Sequence, residues 1–348
     1  MSEFRFQSQK LLLCGLLLSA PTIAQEAATA FDGAQRIEMA APNYPDRQYR
    51  EGNEGWVKLN FMIDPEGQAF EPVVLDSTGS QSFRRAAINA LRNSKFEPAR
   101  LNGEAVESSM TFIYRFEITG NDRVRPSFSR MNDELARFIR DNNEVEARKL
   151  ITTLVDRVTK TTAEFALLSV SRYLFAETFG GSDYEKMKYL EHALSYENSD
   201  SSVLNDQTEQ SARINLLKLQ IANQRFVDAL LNFELLKRSG SNVEAFEPIM
   251  DRILTLPNED SLIRVKGKTD DFGTWDIGLL KRGLYIDNLD NRLSEFRLYC
   301  SSKFQFFSFE PGVDYQIPDS WGTCRLQVAG DPNVELEVIQ FLPPDSED

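Results

Sequence analysis

The hydrophobic period of this chain changes twice, and those changes limit the folds open to it. Val57, Leu59, Phe61 and Ile63 recur at every second residue, as do Met110, Phe112, Tyr114, Phe116 and Ile118. Side chains alternate between the faces of a strand, so each set marks one strand face. From about 125 to 257 the spacing lengthens to three and four, the period of a helix. Met131, Leu135, Phe138 and Ile139 make one stripe; Ala147, Leu150, Ile151, Leu154, Val155 and Val158 make the next. From about 260 to 342 the period of two returns, in Phe296, Leu298 and Cys300, in Cys324, Leu326 and Val328, and in Val334, Leu336 and Val338. With 348 residues, 41% of them hydrophobic, the chain can build two or three cores. The expectation is an α+β multidomain protein.

The first segment, about 31–122, reads as β-β-α-β. Asp64-Pro65-Glu66-Gly67 is a turn signal that joins Val57–Ile63 to a second strand with Val73 and Leu75. Ser80 or Ser82 can cap a helix whose stripe is Phe83, Ala86, Ala87, Ala90 and Leu91. Asn102-Gly103 turns the chain into the last strand. The second segment, about 125–257, reads as helices in pairs, with Gly180-Gly181 and Gly240 as stops. Its stretches 184–197 and 225–238 resemble the second helix of a tetratricopeptide repeat, without the full signature. Stacked helical hairpins are expected, and a repeat array and an ordinary bundle both remain open. The third segment, about 260–342, has short strands between Gly, Pro and Asp clusters and reads as a small β-sandwich.

Residues 11–24 form an apolar run of 14 behind Arg5 and Lys10, ending in Thr22-Ile23-Ala24. The run is short for a spanning helix, which needs about 20 residues. An export signal covering 1–24 is therefore expected, cut before Gln25, with a retained anchor as the alternative. Cys14 follows Leu13, where lipid attachment prefers a small residue. If Cys14 leaves, Cys300 and Cys324 remain as an even pair in an oxidising compartment. A bridge between them would contribute about 3 kcal/mol; two free buried thiols are the alternative.

The net charge of −14 argues against nucleic-acid binding, which needs a basic face. His192 is the one histidine, so no His/Cys cluster has metal-ligand spacing and a nucleophilic triad has a single imidazole to draw on. No G-x-S-x-G elbow or P-loop occurs. We expect no enzyme activity, no cofactor and no metal, and protein partners, with homo-oligomers left open.

The first segment resembles the C-terminal domain of the TonB family. The resemblance is carried by Pro42-Asn43-Tyr44-Pro45, Glu54-Gly55-Trp56-Val57, Ile63-Asp64-Pro65-Glu66-Gly67, Ser77-Thr78-Gly79, the helix with Phe83 and Ala86-Ala87, and Lys95-Phe96-Glu97-Pro98-Ala99. It covers about a quarter of the chain. It implies a small sheet whose last strand, Thr111 to Ile118, can accept an extended segment of an outer-membrane receptor or another envelope protein, in the periplasm. An edge strand offers unpaired backbone groups that a guest strand completes. On that analogy one face of the strand packs on the helix through Phe112, Tyr114 and Phe116, and the other presents Thr111, Ile113, Arg115 and Glu117, with the reverse assignment open. Asn43 and Tyr44 match the family segment near the receptor, although Tyr44-Pro45 reads first as fixing the start of the domain. The chain departs from TonB in order: the domain comes first, no proline-rich spacer precedes it, and His192 lies in a helical stretch. Coupling to a proton-driven motor would require 11–24 to stay as an inner-membrane anchor.

Overall fold

The computed structural model describes residues 31–78, 80–118, 124–158, 161–195, 204–288 and 292–344. The expected export segment with Cys14, Gly79 and the Val158 side chain lie outside these residues. Among the described residues no helix is long and apolar enough to cross a membrane.

The chain starts with short strands β1 (Phe31–Asp32) and β2 (Gln35–Glu38) and a short helix, α1 (Asp46–Glu51). β3 (Gly55–Ile63) and β4 (Ala69–Ser77) form the hairpin that the Asp64–Gly67 turn predicts. The Asp64 carboxylate accepts from the amides of Glu66 at 3.0 Å and Gln68 at 2.7 Å. Gly67 has φ +78°, and a Cβ there would lie 2.2 Å from the Phe96 carbonyl oxygen, so the turn needs glycine. Next come α2 (Gln81–Arg92), β5 (Lys95–Glu97), β6 (Ala99–Leu101), β7 (Glu104–Val106) and β8 (Ser108–Phe116). β3 is the centre of an antiparallel sheet of order β4-β3-β8. Val57, Leu59, Phe61 and Ile63 pack on Phe83, Ala87, Ala90 and Leu91 of α2, as their period implies.

The other face of β3 is buried too. Trp56 packs with Ala166, Ala193 and Leu204 of the helical segment, and Met62 with Val73 and Tyr299. That segment comprises α3 (Pro126–Arg140), α4 (Glu144–Thr153), α5 (Thr162–Phe179), α6 (Asp183–Leu194), α7 (Asp206–Ala222), α8 (Phe226–Arg238) and α9 (Glu247–Thr255). α5 and α6 both open with capping boxes, Thr161 with Glu164 and Ser182 with Glu185. α4 runs into a π-helical turn, Leu154–Val158. The wider turn rotates its residues off the preceding stripe, so Val155 is exposed where the periodicity places it inside.

A single carboxylate joins the first two segments. Glu54, 3% exposed, accepts from the amide of Ile118 at 3.0 Å through one oxygen. Through the other it accepts from the Thr162 amide at 2.9 Å and hydroxyl at 3.3 Å. The end of β8 and the first turn of α5 thus share one acceptor. Beside it Gly55 is obligatory, because a Cβ there would lie 2.2 Å from the Thr78 hydroxyl that receives the Trp56 amide.

The last segment comprises β9 (Ile263–Lys268), β10 (Thr274–Leu279), β11 (Gly283–Asp287), β12 (Leu293–Cys300), β13 (Phe304–Ser308), β14 (Asp314–Gln316), β15 (Cys324–Gly330) and β16 (Glu335–Phe341). Its two antiparallel sheets, β10-β15-β12-β13 and β14-β11-β16-β9, share one apolar core that includes Ile277, Phe296, Leu326, Leu284 and Val338. Cys300 and Cys324 are disulfide-bonded and sit opposite each other on β12 and β15. The bridge therefore staples two neighbouring strands of one sheet.

Removing the Glu54 carboxylate by Glu54→Ala leaves the Thr162 amide buried without its acceptor. We expect a loss of about 3 kcal/mol, read as a lower urea midpoint at unchanged slope. A variant within about 0.5 kcal/mol of wild type would contradict the assignment.

Candidate functional site

β8 has a strand neighbour on one side only among the described residues. The direction of its backbone follows from its partner. Trp56 donates its amide to the Thr78 hydroxyl at 2.8 Å, and its carbonyl accepts from the Thr78 amide at 3.0 Å. The backbone of Trp56 therefore points towards β4, and the opposing residue, Arg115, forms a non-hydrogen-bonded pair with it. The β3–β8 register is regular and pairs Lys58 with Ile113 and Asn60 with Thr111. By alternation the amides and carbonyls of Thr111 and Ile113 point to the open edge. The Thr111 hydroxyl donates across to Asn60 Oδ1 at 3.0 Å, the side-chain approach expected of such a pair.

The six residues singled out by the resemblance are not equally placed. Thr111 is exposed on the edge and Ile113 is half-buried beside it. The Arg115 guanidinium donates to the Ser195 carbonyl at 3.1 Å, so the end of α6 closes on that position. Glu117 and Ile118 lie past the end of β8, because the Glu54 carboxylate takes the Ile118 amide out of the ladder. Asn43 is exposed. Tyr44 is half-buried; its hydroxyl donates to the Asn53 carbonyl at 2.7 Å, and its ring meets Phe83 and Phe116 edge-on at 5.8 and 5.7 Å.

Residues 40–118 match the family model for the Gram-negative bacterial TonB protein C-terminal. Two relatives lie in the same region. The TonB protein of Vibrio cholerae is 29% identical over 107 residues, which cover 29% of this chain and 44% of the relative. That of Pseudomonas aeruginosa is 30% identical over 118 residues, covering 28% of this chain and 34% of the relative. The chain thus spans less than half the length of these relatives. The solution NMR structure of the Pseudomonas aeruginosa TonB CTD is 29% identical, with a TM-score of 0.23, over 27% of this chain and 92% of that one.

The second face of the TonB-like sheet borders a cavity of about 300 Å³. Lys58, Asp76 and Ile113 line it from the sheet, Glu191 from α6, Arg225 from the residue before α8 and Arg325 from β15. His192 Nε2 lies 2.7 Å from Asp76 Oδ2, and its ring stands edge-on to Trp56. Burial pushes the Asp76 carboxyl up, but the charge and hydrogen bond of His192 outweigh that and hold it below the usual range. Deeper in, Arg225 donates to Asp228 at 2.9 Å, and Arg325 donates to Asp228 at 2.7 Å and pairs with Asp276. Burial acts on Asp228 in the same upward sense, and the two guanidiniums reverse it, holding the carboxyl far below its usual range.

Sequence reading missed this cluster, apart from placing His192 in a helical stretch. Arg225 and Asp228 form a pair three residues apart that a helix brings together, a local signal. Asp276 and Arg325 meet that pair from distant strands, and nothing local marks them. Among the described residues no group of His, Cys, Asp and Glu is arranged to hold a metal.

Two outcomes follow. Tyr44→Phe removes a half-buried hydrogen bond and should cost about 1 kcal/mol, measured by urea unfolding. Asp76 and Asp228 have depressed folded values, so their contribution is full above the ordinary carboxylate value of 3.8 and is lost as pH falls below it. Stability should therefore fall progressively as pH drops below about 4, and Asp228→Asn should flatten that dependence. An equal slope in the variant would contradict it.

Proposed function

We propose that this chain is a non-enzymatic envelope protein whose TonB-like segment holds an extended segment of a protein partner by β-augmentation. The observation that carries the reading is the open side of β8, to which Thr111 and Ile113 turn their backbone amides and carbonyls. A guest strand would complete those bonds, and its side chains would supply specificity. The family match at 40–118 supports a role beside TonB-dependent transport across the outer membrane or in envelope assembly, with outer-membrane receptors as the first partners to test. The reading places the chain in the periplasm after loss of residues 1–24; if that segment is retained, the chain is an anchored energy transducer. The paired helices α3–α8 would offer a second protein-binding surface.

A specific observation favours a second reading, a scaffold adaptor. The sheet face away from α2 is covered by the chain itself, through Ala166, Ala193 and Tyr299. In that case the sheet is a packing module and the helices alone meet the partner.

Proline at Ile113 separates the two. It removes one edge donor and leaves the β3 ladder intact. Ile113→Pro should abolish binding of blocked strand-forming peptides, measured by fluorescence anisotropy, while its near-ultraviolet circular dichroism stays native. In the wild type, bound peptide should slow amide exchange at Thr111 and Ile113 and leave Phe112 and Tyr114 unchanged. A folded proline variant that binds as wild type would remove the edge reading and leave the adaptor.

A further inference from the structure

We propose that the cavity where the three segments meet is a binding site for a small zwitterion with an apolar side chain, in the class of the free apolar α-amino acids. The site is separate from the open edge of β8 and does not depend on the edge reading.

The cavity is bounded by the sheet, by α6, α7 and α8, and by β10 and β15 of the last segment. Small-molecule sites form preferentially at such junctions, and about 300 Å³ lies at the lower end of their range. Leu231 and Leu235 of its wall are 58% and 42% exposed, so it opens to solvent along α8. Along α8 the lining passes from Asp228 to Leu231 and Leu235, one and two turns later. Along α6 it passes from Glu191 to Leu194 in the same way, and Leu216 of α7 adds to the apolar part. Charged and apolar lining thus succeed one another along each helix. A molecule with a charged head and an apolar tail matches that division.

The lining carries as many acidic as basic side chains, so a ligand without net charge leaves it balanced. Most of these groups already hold one another. Arg213 is paired with Glu209, Arg225 with Asp228, and Arg325 with Asp228 and Asp276. Asp76 is paired with His192, and Asp270 accepts from the amides of Phe272 and Thr274. Three side chains remain: Lys58 of β3, and Lys188 and Glu191 of α6. They make no side-chain hydrogen bond or ion pair among the described residues. Lys58 stands opposite Asp76 in the β3–β4 ladder, but the Asp76 carboxylate is turned to His192. Lys58 and Glu191 act on each other through space without contact. Burial raises the Glu191 carboxyl above its usual range, and Arg225 and Lys58 offset this only in part. Both signs of charge are therefore left open in one cavity. An ammonium against Glu191 and a carboxylate against Lys58 or Lys188 satisfy both at once, which an ion of one sign cannot do.

The test is calorimetric titration of the full chain with three probes: leucine, 4-methylpentanoate, which lacks the amine, and 3-methylbutylamine, which lacks the carboxylate. Leucine should bind, and each truncated probe should bind at least about tenfold more weakly, the loss of one charge-assisted hydrogen bond. Glu191→Gln should weaken leucine about tenfold and leave 4-methylpentanoate unchanged. Lys58→Gln combined with Lys188→Gln should weaken leucine as much and leave 3-methylbutylamine unchanged. Near-ultraviolet circular dichroism shows whether each variant is native, and the probe series on the wild type decides by itself where one is not. No binding of leucine at millimolar concentration overturns the proposal. Equal binding of the three probes overturns it and leaves only an apolar pocket. Tighter binding of a truncated probe overturns it and assigns the cavity to an ion of one sign. A native variant with wild-type leucine affinity overturns it as well. None of these outcomes bears on the edge reading, whose test is Ile113→Pro.

Discussion

The buried carboxylate of Glu54 is the constraint on which the arrangement depends. Its two oxygens receive the Ile118 amide behind β8 and the Thr162 amide and hydroxyl at the start of α5. A buried carboxylate is costly unless its acceptor sites are filled, and here donors from two segments fill them. Filling them ends β8 at Phe116 and points α5 across the sheet. With α5 in place, Ala166 and Ala193 reach Trp56, and α6 brings His192 to Asp76 and Ser195 to Arg115. A sheet that could stand with one wet face becomes an interior layer.

That change of layer explains what could be read from the sequence. The face of β3 towards α2 was legible, because Val57, Leu59, Phe61 and Ile63 alternate within nine residues and their partners recur at helical spacing in α2. The opposite face was not. Trp56, Asn60 and Met62 are as buried as their neighbours, yet one of their partners is Ala193 and another Tyr299, and no local period encodes those meetings. The same limit applies to the candidate site. Thr111 and Ile113 lie in β8 as alternation and the resemblance imply, whereas Glu117 lies past its end because a carboxylate over sixty residues earlier takes the following amide. The two cysteines were legible as a pair by count; that they join adjacent strands depends on the order of a sheet that alternation leaves open.

The ion network from Arg225 to Asp276 does a different job from the apolar cores. Networks of this kind add less stability than well-packed apolar groups of the same volume, and losing one partner is expensive. Its value here lies in orientation. Arg225 immediately precedes α8 and Asp228 lies in its first turn, while on β10 and β15 Asp276 stands opposite Gln327 and Arg325 opposite Gly278. Gly278 permits the approach, since a Cβ there would lie 2.6 Å from Val227. The cavity wall is thereby fixed relative to the sheet.

An open edge is also a hazard, because it can pair with any exposed strand. The fold limits the hazard by shortening the edge. Before β8, Glu107 accepts from the Phe304 amide at 3.4 Å and lies by Lys303, so the last segment stands at that end. At the other end Arg115 is engaged by the Ser195 carbonyl. Between these stops the outward-facing residues are Ser109, Thr111 and Ile113, too few to propagate a sheet and enough for one short strand. A guest confined to that length has few registers available, and each shift by one residue turns its side chains to the other face. A short edge bounded by packed neighbours therefore restricts how a strand can dock.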